Sequence, residues 1–173
     1  MKIANTINDS IVDGPGFRYT VFVQGCQHHC HGCHNPDTWA FGGGREVTPK
    51  ELIEPLARNP LASGLTISGG EPFAQADECA ELARLAHGLG LTVWTYTGYR
   101  YEEIKEEWMP LLAETDVLVD GPFIESQKSY ELHFRGSRNQ RLIDVKKSLE
   151  SGKVVEWEDG RIYREAGGDK SSL

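Results

Sequence analysis

The sequence contains no apolar run approaching the roughly 20 residues that a membrane-crossing helix needs, so no membrane partner is expected. The amino terminus, MKIANTINDS, has one lysine but neither an apolar stretch nor a small-residue cleavage site. It does not read as a secretory signal, and a cytoplasmic location is expected. Basic residues are also in deficit: 18 Lys and Arg face 26 Asp and Glu, for a net charge of −8. Polyanion binding needs a positive surface, so a nucleic-acid partner is not expected either. Away from one short stretch, cysteine is reduced to Cys79. Three clustered thiols and one remote thiol make a poor disulfide framework but suit a metal in a reducing compartment.

The 173 residues are enough to bury one core, and 39% hydrophobic with 25% charged residues is the balance of a globular domain. With no internal repeat and no linker, residues 1–173 read as a single domain, with 146–173 as a carboxyl-terminal extension. The cysteines lie in "VQGCQHHCHGCHN", residues 23–35, as Cys26, Cys30 and Cys33 in the spacing C-x3-C-x2-C. Structural zinc usually takes four protein ligands, and an electron-carrying iron–sulfur cluster usually takes four cysteines. Here the fourth cysteine is missing. His28, His29, His31 and His34 keep a Cys3His zinc site open, although no second ligand pair stands at the usual distance. The alternative is a three-cysteine cluster with one open iron.

Short apolar runs rich in β-branched and aromatic residues, ended by glycines, predict strands over "FRYTVFVQG", "LTISGGEP", "LTVWTYTG" and "DVLVDGPF". Helices are predicted over 48–58, where Thr48, Pro49 and Glu51 form a start signal, over 75–89 by apolar spacing, and over 101–113. Cys79 falls on the apolar face of the second helix and reads as a core residue. A hairpin is expected across Asp159-Gly160, with a frayed tail after it. Alternating strands and helices imply parallel strands with right-handed crossovers. The chain is too short for a closed eight-stranded barrel of about 250 residues, which leaves an incomplete barrel or an open sheet.

In parallel α/β architectures, ligands sit at the carboxyl ends of the strands. Three breaks fall there: the cysteine loop, Ser68-Gly69-Gly70-Glu71-Pro72, and Tyr96-Thr97-Gly98-Tyr99. Gly69 and Gly70 lack Cβ atoms, which would let a ligand approach the backbone.

C-x3-C-x2-C followed by Gly-Gly-Glu-Pro at a strand end resembles the radical S-adenosylmethionine superfamily. Within it, "DGPGFRYTVFVQGC", "CHNPDTW" and "RGSRNQR" resemble activating proteins of glycyl radical enzymes, specifically those of anaerobic ribonucleotide reductase. The resemblance covers roughly residues 5–145. It implies an α/β fold with an incomplete (βα) barrel of parallel strands. It also implies that Cys26, Cys30 and Cys33 hold a [4Fe-4S] cluster whose fourth iron takes S-adenosylmethionine. Gly69, Gly70 and Glu71 would then hold the methionine end, with Gly32, Cys33 and His34 against the adenine part and Thr97 near the ribose. Gly32 stands where many superfamily members have an aromatic residue, so no side chain is available there for stacking. Asp120 resembles an acidic position near the sulfonium or a bound cation, and it also reads as an ordinary strand-end carboxylate.

The implied partners are the large subunit of anaerobic ribonucleotide reductase and an electron donor such as flavodoxin. The stretch with Arg135, Arg138 and Arg141 reads as a solvated loop by itself and as a partner-docking segment by resemblance, while Trp39, Trp94, Trp108 and Trp157 read as packing residues, with Trp39 also a candidate for a partner surface. His28, His29 and His31 are expected to decorate the cysteine loop. The competing readings are a radical enzyme acting on a small molecule, such as a deazaguanine-forming synthase, and a zinc-stabilised binding module.

Overall fold

Runs of β-branched and aromatic residues pair side by side through the middle of the chain, and the computed structural model describes residues 1–158. The strands are β1 (Lys2–Ser10), β2 (Phe17–Val23), β3 (Arg45–Glu46), β4 (Ala62–Gly69), β5 (Thr92–Tyr96), β6 (Val117–Asp120) and β7 (Arg141–Asp144). The helices are α1 (Pro49–Ala57), α2 (Ala76–Gly88), α3 (Met109–Ala113) and α4 (Val145–Ser151). All seven strands form one sheet in the order β3-β1-β2-β4-β5-β6-β7. β2, β4, β5 and β6 run parallel. β1, β3 and β7 are antiparallel additions at the two sides. The fold is therefore α/β with a single mixed sheet, whereas strand alternation alone predicted parallel strands only.

Three strands escaped the sequence reading: β3, which is only two residues long, and β1 and β7, for a shared reason. β1 carries Asn, Thr, Asp and Ser, and β7 lies within a run of Arg, Asn and Gln, so neither shows a clean apolar period. Long-range pairing holds β1 instead. Its Ile3 is fully buried, and the Gln75 side chain bonds both the amide and the carbonyl of Lys2, at 2.7 and 2.8 Å.

α1 begins with the expected capping box between Thr48 and Glu51, and α2 matches its predicted span to within a residue at each end. The predicted helix at 101–113 divides into 3-10 turns at Tyr101–Glu103 and Glu106–Trp108 before the short α3. Pro110, at the start of α3, has no amide proton to continue a longer helix through this point. The hairpin expected across Asp159-Gly160, and the tail after it, lie outside the described residues.

Alternation along the strands separates two apolar clusters. One face, with Val21, Leu65, Ile67, Val93 and Leu118, packs on Leu52 and Leu56 of α1 and on Cys79, Leu82 and Ala83 of α2. Cys79 is a fully buried core residue, and burial pushes its thiol up. The other face carries Trp94, Val117 and Val119, covered by Phe134, Leu142 and Trp157. Among the described residues, no helix is long and apolar enough to cross a membrane.

Candidate functional site

The register of the parallel strands places their carboxyl ends together: Val23 pairs with Gly69, Ile67 with Thr95 and Tyr96 with Val119. The loop leaving β2 is fastened back on itself. Gly25 and Cys26 donate amides to the carbonyls of Thr38 and Trp39 at 2.6 and 3.1 Å, and Gln24 Nε2 reaches the carbonyls of Asp37 and Ala40 at 3.0 and 2.7 Å. Inside this frame the Cys33 amide donates to the Cys30 carbonyl at 3.1 Å. His29 takes up a left-handed backbone at φ 48° and stacks on Trp39 with ring centroids 4.5 Å apart.

Cys26, Cys30 and Cys33 are free thiols, and they line one cavity of about 380 Å³ together with Gly69, Gly70 and Thr97. That volume falls within the range of small-molecule sites. His34, Trp39 and Gly98 also face the cavity, whereas Gly32 and Glu71 do not line it. Burial pushes the Cys26 thiol up, against smaller opposing contributions from the amides of His28 and His29. A metal at this position would offset that cost by stabilising the thiolate. Among the described residues, no three Cys, His, Asp or Glu groups converge closely enough for a single ion. Three thiols on one cavity form a donor set that a multi-iron cluster, whose irons take one thiolate each, can use.

The glycines have a reason that was not visible in the sequence. A Cβ on Gly70 would come within 2.3 Å of the Gly25 carbonyl oxygen. One on Gly69, where φ is +96°, would come within 2.6 Å of the Phe22 backbone. Both glycines let β4 lie against the strand that leads into the cysteine loop. The Gly70 and Glu71 amides donate to Val23 and Gly25 at 2.9 and 2.8 Å.

Glu71 is fully buried. Its carboxylate accepts from the Phe73 amide at 3.0 Å, the Gly98 amide at 3.0 Å and the Thr97 hydroxyl at 2.8 Å, and lies 2.6 Å from His28 Nε2. Both oxygens are therefore occupied by protein, and the Thr97 hydroxyl is committed to them. His28, expected to decorate the loop, turns inward instead. Nothing distinguishes it from its three neighbouring histidines in the sequence.

Asp120 is also already partnered. Its carboxylate accepts from Arg141 Nη2 at 2.6 Å and Nε at 3.1 Å, and from the Tyr101 amide at 2.8 Å. Arg141 in turn holds Glu102 at 2.8 and 3.1 Å, and these two acids push its guanidinium up from its ordinary value. The three arginines of "RGSRNQR" thus separate. Arg141 braces β6 and β7, Arg135 lines the cavity and bonds the Gln140 carbonyl, and Arg138 is exposed. Trp94 and Trp157 pack against each other, and Trp108 packs on Phe73.

The cavity also takes Val12 and Asp13 from the loop before β2 and Lys128, Tyr130 and Leu132 from the loop after β6. Of these, only Asp13 falls in a motif read from the sequence. Asp13 is drawn in because its carbonyl accepts from Thr66 on β4 at 2.7 Å.

Residues 12–143 match a family model described as a 4Fe-4S single cluster domain. The chain is 38% identical over 138 residues to the anaerobic ribonucleoside-triphosphate reductase-activating protein of Vibrio cholerae serotype O1, covering 75% of this chain and 89% of that protein. To the protein of the same name in Escherichia coli strain K12 it is 34% identical over 139 residues, covering 75% and 90%. To the pyruvate formate-lyase-activating enzyme of Clostridium pasteurianum it is 35% identical over 154 residues, covering 85% of this chain and 62% of that one. Matched over most of its length by the cluster domain and by these relatives, the chain belongs to the 4Fe-4S single cluster domain family, among the activating proteins of anaerobic ribonucleoside-triphosphate reductase.

Proposed function

We propose that this protein activates an anaerobic ribonucleotide reductase by placing a radical on a glycine of its large subunit, using a [4Fe-4S] cluster and S-adenosylmethionine. The observation that carries this is the single cavity shared by Cys26, Cys30, Cys33 and the glycine end of β4. Held by these three thiolates, a reduced cluster with S-adenosylmethionine would supply the one-electron chemistry needed to take a hydrogen atom from the partner's glycine.

The three thiolates would hold the cluster at the mouth of β2. The backbone of Gly69 and Gly70 would receive the methionine end, with Cys33, His34 and the backbone at Gly32 on the adenine side and Thr97 near the ribose. Glu71 serves this site from behind, by holding Thr97 and the Gly98 amide in place. We read residues 1–173 as one domain whose sheet curves as an incomplete barrel, with 146–173 as an extension. Reduced thiols and an oxygen-labile cluster fit the cytoplasm, and a flavodoxin-like protein fits as the electron donor.

The test is anaerobic mixing of the reconstituted protein with reductant, S-adenosylmethionine and the reductase large subunit, followed by electron paramagnetic resonance. A doublet glycyl radical on the subunit is expected. Cofactor cleavage with no glycyl radical, but with turnover of a free pterin or purine precursor, would decide for a small-molecule enzyme. Arg138→Ala, at an exposed position, should weaken activation several-fold while leaving uncoupled cleavage unchanged if the arginine loop docks the subunit.

A further inference from the structure

Four histidines occupy the cysteine loop, and they face four different ways. His29 stacks on Trp39. His31 reaches Glu125 at 3.0 Å with a side chain 95% exposed. The His34 ring tilts against Phe123. His28, midway between Cys26 and Cys30, turns inward to Glu71 while also lining the cavity.

Three contacts hold it there. Its Nε2 lies 2.6 Å from Glu71 Oε2. Its ring lies across Gly98, where a Cβ would come within 2.5 Å of the imidazole Cδ2. Its edge meets the Tyr99 ring, with centroids 4.5 Å apart at 71°. The remaining side-chain hydrogen bonds to Glu71 come from Phe73, Thr97 and Gly98, beyond β4 and beyond β5. His28 is the one cysteine-loop side chain hydrogen-bonded to that carboxylate, and Gln27, touching the Tyr99 hydroxyl, is its only neighbour reaching the same strand end.

We propose that His28 is a positioning residue that locks the Cys26–Cys30 segment onto the ends of β4 and β5, so that the thiols and the cofactor-binding backbone keep one relative geometry. The inference rests on the reading that those thiols hold the cluster. Its physical basis is that a reaction between two bound groups is steep in their separation. A displacement of about 1 Å can cost roughly 100-fold in rate. The loop's other histidine contacts, His29 on Trp39, His31 to Glu125 and His34 against Phe123, reach neither β4 nor β5, so without His28 the thiols lose their strut to those strand ends. The imidazole supplies a rigid strut from the middle of the loop. Gly98 is the counterpart that makes room for it.

The test has two readouts on the full chain. In hydrogen exchange, His28→Ala should speed exchange at the amides of residues 27–35 and at Gly98 by about tenfold or more. His28→Gln, which keeps a donor able to reach Glu71, should restore much of the protection. Gly98→Ala, which pushes the ring away without touching the loop, should reproduce the effect of His28→Ala. After reconstitution, His28→Ala should retain its full iron content but bind S-adenosylmethionine about tenfold more weakly.

Unchanged exchange at Gly98 and in the loop in His28→Ala would overturn the proposal. So would loss of iron on the scale of a cysteine variant, which would make His28 a ligand. If the unaltered protein takes up no four-iron cluster, the reading of the thiols fails, while the exchange measurement still decides whether His28 holds the loop.

Discussion

At the carboxyl ends of the parallel strands a buried acid, Glu71, gathers donors from three loops, while at the amino ends a buried base, Arg18, is held by carbonyls and threonine hydroxyls of the neighbouring strands and by the Pro15 carbonyl. Arg18 is fully buried, donates to the carbonyls of Leu65 and Thr92 at 2.8 and 3.1 Å and to the Thr66 hydroxyl at 2.8 Å, and lies over the Trp94 ring. Among the described residues it makes no ion pair, and burial lowers its pKa to about 10, so it stays charged at neutral pH. Both groups satisfy the rule that a buried charge must be fully hydrogen-bonded. The difference lies in what they fasten. Arg18 ties β2, β4 and β5 to one another, which affects stability. Glu71 ties the loops that border the cavity, which affects chemistry.

The sharpest way to break this comparison is at the cysteines. Cys26→Ala, Cys30→Ala and Cys33→Ala should each abolish the [4Fe-4S] spectrum and all radical formation, read by iron and sulfide analysis and by paramagnetic resonance. Cys79→Ala, in the core behind the sheet, should keep the full cluster and lose about 1 kcal/mol of stability from the small cavity created. A cluster of full strength in any of the first three would end the assignment.

Next in size is Gly70→Val. With a Cβ forced to 2.3 Å from the Gly25 carbonyl, the base of the cysteine loop must move. Iron uptake should fall together with S-adenosylmethionine binding, and overpacking should cost about 2 kcal/mol in urea unfolding. Normal iron uptake with weakened cofactor binding would mean that the glycine serves the ligand alone.

At the amino end, Arg18→Met should cost about 3 kcal/mol, because several buried acceptors lose their donor. The folded fraction should still assemble the cluster. Loss of the cluster in a variant that remains stable would show that the two ends are coupled.

The smallest effect concerns His87, also at the amino ends of the strands. Its ring lies between Glu114 at 2.9 Å and Asp116 at 2.8 Å. Burial alone would lower its pKa, but the hydrogen bonds to Asp116 and Glu114 outweigh it, and the net shift is upward from 6.5. The protonated form is thus favoured in the folded state. Its stabilisation is complete below about pH 6.5 and disappears as pH rises through the raised folded value. Thermal melts of the protein and of His87→Gln should differ by a degree or two at about pH 6 and converge toward about pH 9, the pair being partly exposed to solvent. A constant difference across that range would remove His87 from the account.

Much of the site was legible because its signals are local. The cysteine spacing, the Thr48–Glu51 capping box and the apolar period of α2 each lie within one turn or one loop. Strand-end breaks at Gly25, Gly69 and Thr97 pointed to a common edge because parallel strands align their ends. β1 and β7 were hidden because polar strands at the sides of a sheet are held by partners far along the chain, and residues 101–113 because a proline interrupts their helical pattern.

The sequence by itself determined that three thiols lie in one loop after a strand, and that glycines and a glutamate end a second strand, since thiol chemistry and the lack of a Cβ belong to the residues themselves. Only the tertiary structure decided that Asp120 is occupied by Arg141, that Gly70 makes room for backbone, and that His28 among four histidines meets Glu71. Such choices depend on register. The contact between His28 and Glu71 joins residues 43 apart in the chain, and it exists because β2 and β4 pair with Val23 beside Gly69.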